Sequence, residues 1–158
     1  MEKMLPIRPR ASVLRSTMQF AIVASQYNID FAQSLVDAAH NEISALEADA
    51  KIDLVWAPGT FELPLVIKTL AARNTYSAIV AFGVLIQGKT LHAELVARAV
   101  TDALVRIALD HDVPVIDGVV IGTKALAKTR CVGTEKNRGV EAARAAVTMA
   151  RTMKTLHN

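Results

Sequence analysis

The amino-acid sequence predicts an α/β fold of three layers, α/β/α, in which helices cover both faces of a four-stranded parallel sheet. Two observations support this prediction. Four apolar runs rich in Val and Ile recur along the chain, and a stretch with helical periodicity follows each of them. Uninterrupted apolar runs are typical of strands that are buried on both faces, as the strands of a parallel sheet are.

The four predicted strands are separated by intervals that leave room for a helix, which indicates right-handed crossover connections. Pro114 stands at the beginning of the fourth run, and we expect it to mark the entrance of that strand because proline cannot donate a hydrogen bond within the sheet. The predicted strands are residues 19–25, 52–57, 78–86 and 113–121.

The helical stretches begin with residues that favour a helix start. Asp30 is suited to cap the first helix, and Phe31 and Leu35 share its apolar face. Pro64 falls in the first turn of the second helix, where a proline is tolerated. The predicted helices are residues 30–46, 61–72, 90–110, 124–130 and 140–154.

The length and the alternation of strands and helices indicate one domain, residues 17–158, with a flavodoxin-like layout. We expect residues 1–16 to form an N-terminal arm outside the core. Pro6, Pro9 and several charged residues make this segment a poor candidate for a central strand.

The composition excludes several classes of partner. The net charge of +3 arises in the first fifteen residues, so the remaining chain has no excess of basic residues that would form a nucleic-acid surface. The longest apolar run, residues 78–86, is too short to span a membrane, and we expect no secretory leader because the first residues lack the apolar stretch of a signal peptide. Cys131 is the single cysteine, which fits a reducing compartment. We therefore expect a cytoplasmic protein without nucleic-acid or membrane partners. The mean hydropathy of +0.30 suggests that some apolar surface is buried between subunits.

Ligands of open parallel sheets bind beyond the carboxyl ends of the strands. This rule predicts a site built from residues 26–28, 58–62, 87–92 and 121–122. The sequence has no glycine-rich dinucleotide or nucleotide-phosphate loop, no nucleophile elbow, and no histidine pair at metal-ligand spacing. We accordingly expect no standard dinucleotide, nucleoside-triphosphate or zinc chemistry.

The loop that follows the third strand has features of a phosphate site. Gly88 allows the backbone to approach a ligand closely, and Lys89 and Thr90 stand beside the free N–H groups of a helix start. His92 follows in the first turn and is a candidate acid–base residue. The alternative is a capped helix start with a solvent-exposed histidine, which is favoured when the loop is considered alone.

The turn after the second strand, Pro58-Gly59-Thr60-Phe61-Glu62-Leu63-Pro64, is more unusual. Two prolines and a glycine make it rigid, and Glu62 falls at a helix N-terminus, where the helix dipole favours its charge. This carboxylate could accept hydrogen bonds from ligand hydroxyl groups. The alternative is an acidic residue that only stabilises the helix.

Two further groups of residues could contact a ligand. Tyr27 could stack on a flat heterocycle while Asn28 hydrogen-bonds its substituents, although a turn asparagine beside a surface tyrosine is favoured when this pair is considered alone. Arg130 and Arg138 flank a polar stretch, and one of them could bind a phosphate; the alternative is a solvated loop.

These segments together resemble lumazine synthase, an enzyme family of riboflavin biosynthesis. The resemblance extends from about residue 18 to residue 156, and it rests on four segments in order: QYN (26–28), PGTFELP (58–64), GVLIQGKTLH (83–92) and TRCVGTEKNRGVEAA (129–143). It implies the condensation of 5-amino-6-(D-ribitylamino)uracil with 3,4-dihydroxy-2-butanone 4-phosphate, without a cofactor or metal. A non-catalytic flavin or lumazine binder on the same scaffold is the alternative.

The resemblance also implies residue roles. Tyr27 would stack on the pyrimidine ring, and His92 would move protons. The ribityl chain would be held by Asn28, Gly59, Thr60, Phe61 and Glu62; the uracil edge would be read by backbone groups of Leu85 and Ile86; and the phosphate would be bound by Gly88, Lys89 and Thr90. Arg130 would complete the phosphate site from a neighbouring subunit of a pentamer.

Three departures from the family pattern affect these expectations. Asp117 stands where many members have a phenylalanine that packs on the substrate of the adjacent subunit, and Arg138 stands where a lysine is common. The segment between Gly118 and Arg130 is one residue shorter than is usual in the family. The turn VGTEKNRG differs from that of shell-forming members, so we expect a free homopentamer or homodecamer.

Overall fold

The computed structural model describes residues 17–158 of the chain; the predicted arm, residues 1–16, lies outside the described residues. The strands of the described part are β1 (Gln19–Ser25), β2 (Lys51–Ala57), β3 (Ala78–Phe82), β4 (Val84–Ile86), β5 (Val115–Asp117) and β6 (Val120–Gly122). The helices are α1 (Ile29–Leu46), α2 (Leu63–Ala71), α3 (His92–His111), α4 (Lys124–Val132) and α5 (Arg138–His157).

The predicted four-stranded parallel sheet is confirmed, with the strand order β2-β1-β3-β5. Helices α1, α4 and α5 pack on one face of this sheet, and α2 and α3 pack on the other. The side chains of β1 and β3 alternate between these two cores; Phe20 and Phe82, for example, are fully buried on the α1 side. The prediction of an α/β/α fold in three layers is therefore also confirmed.

The third and fourth predicted strands are each broken into two, and in this respect the prediction was wrong. The breaks fall at Gly83 and at Gly118-Val119, and the second halves, β4 and β6, form a separate two-stranded parallel sheet. Backbone hydrogen bonds bridge the breaks: the Gly118 N–H donates to Ala81 (2.8 Å) and the Val120 N–H donates to Gly83 (2.8 Å). The two breaks therefore change the direction of the chain while the N–H groups of Gly118 and Val120 keep their hydrogen-bond partners.

The helix ends differ from the prediction by a few residues. Helix α5 begins at Arg138, two residues before its predicted start, because Asn137 caps it by accepting a hydrogen bond from the Val140 N–H (3.2 Å). The predicted helix 61–72 consists of a 3-10 turn, Thr60–Glu62, followed by α2, with Pro64 in the first turn of α2 as expected. Pro114 precedes β5, and its carbonyl accepts from the Ile79 N–H (2.8 Å).

Cys131 lies on α4 and is completely buried in the core formed with α1 and α5. Burial raises the pKa of its thiol to about 11, so the reactive thiolate is scarce at neutral pH. No helix within residues 17–158 combines the length and apolarity that crossing a membrane requires.

Candidate active site

A cavity of about 940 Å³ opens at the carboxyl ends of β1, β2 and β4, beside the first turns of α3. This is the position that the sheet topology predicts for a ligand. Eleven of the fifteen residues that we predicted from the sequence line it: Tyr27, Asn28, Gly59, Thr60, Phe61, Glu62, Leu85, Ile86, Gly88, Thr90 and His92. Three separate strand ends thus contribute to one cavity.

His92 is the first residue of α3 and is exposed at the wall of the cavity. Its backbone N–H donates to the Thr90 hydroxyl (3.4 Å), a local contact that helps to order the helix start. The hydrogen bonds of the described residues leave the imidazole of His92 free to face a ligand. A histidine in this position can exchange protons with a molecule bound in the cavity.

The turn Gly59–Glu62 forms a second wall of the cavity. Thr60 is only 4% exposed and anchors the turn, whereas the ring of Phe61 is 64% exposed at the cavity. Glu62 occupies the N-cap position of α2 without a side-chain capping hydrogen bond, and its carboxylate lies over Gly59, where an added Cβ would stand 2.8 Å from Oε2. Because Glu62 lines the cavity, its carboxylate is available to a ligand as a hydrogen-bond acceptor.

Tyr27 and Asn28 follow β1 and form the third wall. Tyr27 is 73% exposed, so its ring can stack on a planar ligand. Asn28 adopts a left-handed backbone conformation (φ 56°), and its side-chain Nδ2 donates to the Val84 carbonyl (2.8 Å). This bond occupies one amide N–H, so the Oδ1 atom is the acceptor that Asn28 can offer to a ligand.

Four predicted residues do not line the cavity of their own chain: Lys89, Asp117, Arg130 and Arg138. Lys89 is exposed on the loop beside the cavity. The two arginines share the carboxylate of Glu141, to which Arg130 donates two hydrogen bonds (2.9 and 2.7 Å) and Arg138 one (3.2 Å). Arg130 also donates to the Lys136 carbonyl (2.8 Å).

These contacts form an ordered charged cluster between α4 and α5. The hydrogen bond from Arg130 holds the pKa of Glu141 below its ordinary value, against a smaller opposing effect of burial. The cluster therefore fixes the guanidinium of Arg130 at the surface rather than leaving it mobile. Arg138 extends the cluster by donating to the Asp117 carbonyl.

The Asp117 carboxylate is occupied by contacts within its own chain. Its Oδ1 accepts from the Val119 N–H (3.0 Å), which closes the turn between β5 and β6, and its Oδ2 accepts from the Thr101 hydroxyl (2.7 Å). A local turn-closing bond of this kind is typical of aspartate. Asp117 thus makes two hydrogen bonds that an aromatic side chain at this position could not make.

We expect Asp117→Ala to lower the free energy of unfolding by about 1–2 kcal/mol, because two hydrogen bonds are lost and the Val119 N–H loses its partner. Asp117→Asn keeps the Oδ1 acceptor and should cost less. Urea denaturation at fixed protein concentration measures the difference, with Asp110→Ala, an exposed aspartate on α3, as the control. Equal stability of Asp117→Ala and the control would contradict this role.

The apolar wall of the cavity was not predicted. It consists of Val84 and of a face of α3 formed by Ala93, Leu95, Val96 and Ala99. Residues three, four and seven positions after His92 share its side of a helix, so helical spacing from His92 could have identified this wall in advance. Among residues 17–158, no group of three or more His, Cys, Asp or Glu side chains is placed to hold a metal ion.

The fold and the cavity define an α/β protein whose candidate ligand site lies at the carboxyl edge of a parallel sheet. The sequence profile of the 6,7-dimethyl-8-ribityllumazine synthase family matches residues 17–154. The chain belongs to this family, whose enzymes are transferases of riboflavin biosynthesis.

Two curated relatives named 6,7-dimethyl-8-ribityllumazine synthase show the extent of this similarity. The protein of Coxiella burnetii (strain Dugway 5J108-111) is 37% identical over 143 residues, which cover 89% of the chain and 95% of the relative. The protein of Stenotrophomonas maltophilia (strain R551-3) is 39% identical over 140 residues, which cover 87% of the chain and 90% of the relative.

Proposed function

We propose that the protein condenses 5-amino-6-(D-ribitylamino)uracil with 3,4-dihydroxy-2-butanone 4-phosphate to give 6,7-dimethyl-8-ribityllumazine, phosphate and water. The observation that carries this proposal is that Tyr27, Glu62 and His92, which belong to three different segments of the chain, line the same cavity. An aromatic ring, a carboxylate and a histidine suit a flat pyrimidine with a polyhydroxy chain and a reaction that needs proton transfers.

The pyrimidine substrate would lie between the loop that follows β1 and the turn that follows β2. Tyr27 would stack on the ring, and backbone groups of Leu85 and Ile86 would bind its polar edge. Glu62 and the Oδ1 atom of Asn28 would accept hydrogen bonds from ribityl hydroxyl groups. The buried Thr60 would hold Gly59 and Phe61 in place beneath the ribityl chain of the substrate.

The phosphate of the second substrate would bind at the start of α3. Gly88 and Thr90 line the cavity there, and a Cβ added at Gly88 would meet nothing within 4 Å, so the backbone is accessible to a ligand. N–H groups at a helix start favour an anion. The exposed ammonium of Lys89 would add to this attraction.

The reaction forms carbon–nitrogen bonds from both amino groups of the pyrimidine substrate to the second substrate. The 5-amino nitrogen attacks the ketone and forms an imine with loss of water. A proton leaves C3 as the bond from C4 to the phosphate oxygen breaks, which releases inorganic phosphate, and the resulting enol takes up a proton at C4 to become a C3 ketone. The ribitylamino nitrogen then attacks this ketone and closes the ring with loss of a second water. His92 would accept and return protons in these steps. Because both substrates are held side by side, most of the acceleration would come from proximity, with a smaller contribution from His92.

We further propose a homopentamer with active sites between its subunits. Arg130 lies outside the cavity of its own chain, as a residue that serves a neighbouring site would. Leu91, just before α3, is exposed on the same side of this helix as Leu95, Val105 and Leu109. An apolar stripe of this kind is expected to be buried against other subunits.

Light scattering tests the assembly. We expect a particle of five or ten times the 17.0 kDa chain mass, a free pentamer or a decamer. A particle in the megadalton range, as sixty subunits would give, would contradict this prediction, and so would a monomer.

Product stoichiometry tests the reaction. When both substrates are supplied, we expect lumazine and inorganic phosphate to form in equal amounts, and we expect the enzyme-dependent yield of both to vanish when either substrate is omitted. Riboflavin or lumazine binding without turnover would support the non-catalytic alternative instead. No contact in the cavity favours that alternative, since both Glu62 and His92 line it.

A further inference from the structure

The dipeptide Gly83-Val84, at the break between β3 and β4, contacts the loops that follow β1, the neighbour of β3, and β2, the edge strand beyond β1. The Val84 carbonyl accepts the hydrogen bond from Asn28 (2.8 Å), which belongs to the loop after β1. The α-carbon of Gly83 lies against the side chain of Thr60, which belongs to the turn after β2. The Gly83 carbonyl in turn accepts from the Val120 N–H (2.8 Å).

The contact between Gly83 and Thr60 leaves no room for a side chain on the strand. A Cβ added at Gly83 would stand 2.6 Å from Cγ2 and 3.0 Å from Cβ of Thr60, and closer still to Oγ1. Thr60 is only 4% exposed, so it cannot rotate outward without moving the backbone of its turn. The same turn carries Phe61 and Glu62, which face the cavity.

We propose that Gly83 is a positioning residue for the active site. Its missing side chain lets the Thr60 turn dock directly on the strand, and this contact fixes the distance between Glu62 and the backbone of β4. A larger residue at position 83 would push the turn away and widen the part of the cavity that holds the pyrimidine substrate. The kinetic test of this inference rests on the proposed function; its stability test does not.

A pair of variants tests the contact by rescue. Gly83→Ala should lower kcat/KM on the order of 100-fold, mostly through a higher KM for the pyrimidine substrate, because a displacement of about 1 Å has effects of this size. Thr60→Ala removes Oγ1 and Cγ2, the two nearest atoms. The double variant Gly83→Ala/Thr60→Ala should therefore recover the KM of Thr60→Ala alone.

Thermal unfolding of the same variants gives a readout that needs no activity. Gly83→Ala should unfold at a lower temperature than the unsubstituted protein, and the double variant should regain the midpoint of Thr60→Ala. Gly88→Ala is the matched control for stability, since an added Cβ there meets nothing within 4 Å. If the Gly83→Ala protein does not fold, a double variant that does fold supports the proposal.

Three outcomes would overturn the proposal: an unchanged KM in Gly83→Ala, a double variant no better than Gly83→Ala, or a double variant that fails to fold where Thr60→Ala folds. If the unsubstituted protein forms no lumazine, the proposed function fails. The unfolding midpoints then still decide whether Gly83 and Thr60 are coupled, so the two failures are distinguishable.

Discussion

Replacing His92 with alanine is expected to lower kcat about 100-fold and to leave the enzyme measurably faster than the uncatalysed reaction. A positioned acid–base group typically contributes 10²–10⁴-fold, and we expect the lower end because proximity of the two substrates dominates. The imidazole makes no hydrogen bond within residues 17–158, so its removal should not affect folding.

Steady-state kinetics with both substrates measure this effect. His40→Ala is the matched control, because His40 is exposed on α1 and does not line the cavity; it should retain full activity. Complete loss of turnover in a folded His92→Ala protein that still binds both substrates would contradict an auxiliary role. An unchanged kcat would remove His92 from the chemistry altogether.

Replacing Gly118 with alanine should give the largest loss of stability, about 3 kcal/mol, the upper end of the range for an overpacked core. An added Cβ would stand 2.5 and 2.6 Å from two ring carbons of Phe82 and 2.7 Å from the Ala81 carbonyl oxygen. Phe82 is fully buried, and the Ala81 carbonyl is fixed by its hydrogen bond from the Gly118 N–H, so neither can yield easily.

Urea denaturation at constant protein concentration measures this loss, since assembly would otherwise shift the midpoint. Gly88→Ala again serves as the control and should change the free energy of unfolding little, because its added Cβ enters open space. A Gly118→Ala protein as stable as the control would show that the core around Phe82 can repack.

The positions of Gly83 and Gly118 explain why the strands were predicted correctly and their breaks were not. Apolar composition shows that a segment is buried, and this property identified all four runs of the sheet. The breaks depend on Thr60 and Phe82, which touch these glycines across the fold and are distant in sequence. A pattern within one segment contains no information about such a partner.

Asn137 illustrates a different kind of error. An asparagine before a helical stretch favours a helix cap, so the start of α5 at Arg138 was available from the sequence but was predicted two residues late. The cavity lining could be predicted for a general reason: all parallel strands end at one edge, so the residues after β1, β2 and β4 had to meet.

Four residues predicted for the site do not line the cavity of their own chain: Lys89, Asp117, Arg130 and Arg138. Arg130 was expected to act across a subunit boundary, and Asp117 was expected to replace a phenylalanine that packs on a substrate; both expectations remain predictions. Their contacts in one chain, to Glu141 and to Thr101 respectively, could not be derived from spacing because each joins two different elements, α4 to α5 and β5 to α3, whose packing the periodicity of one segment does not give.

The most direct test of the proposed activity is the initial rate of lumazine formation when the purified protein is mixed with both substrates. The absorbance of 6,7-dimethyl-8-ribityllumazine should rise well above the rate without protein and in proportion to protein concentration. A rate equal to the uncatalysed background, from folded and assembled protein at saturating substrate concentrations, would contradict the assignment of this site as a lumazine synthase active site.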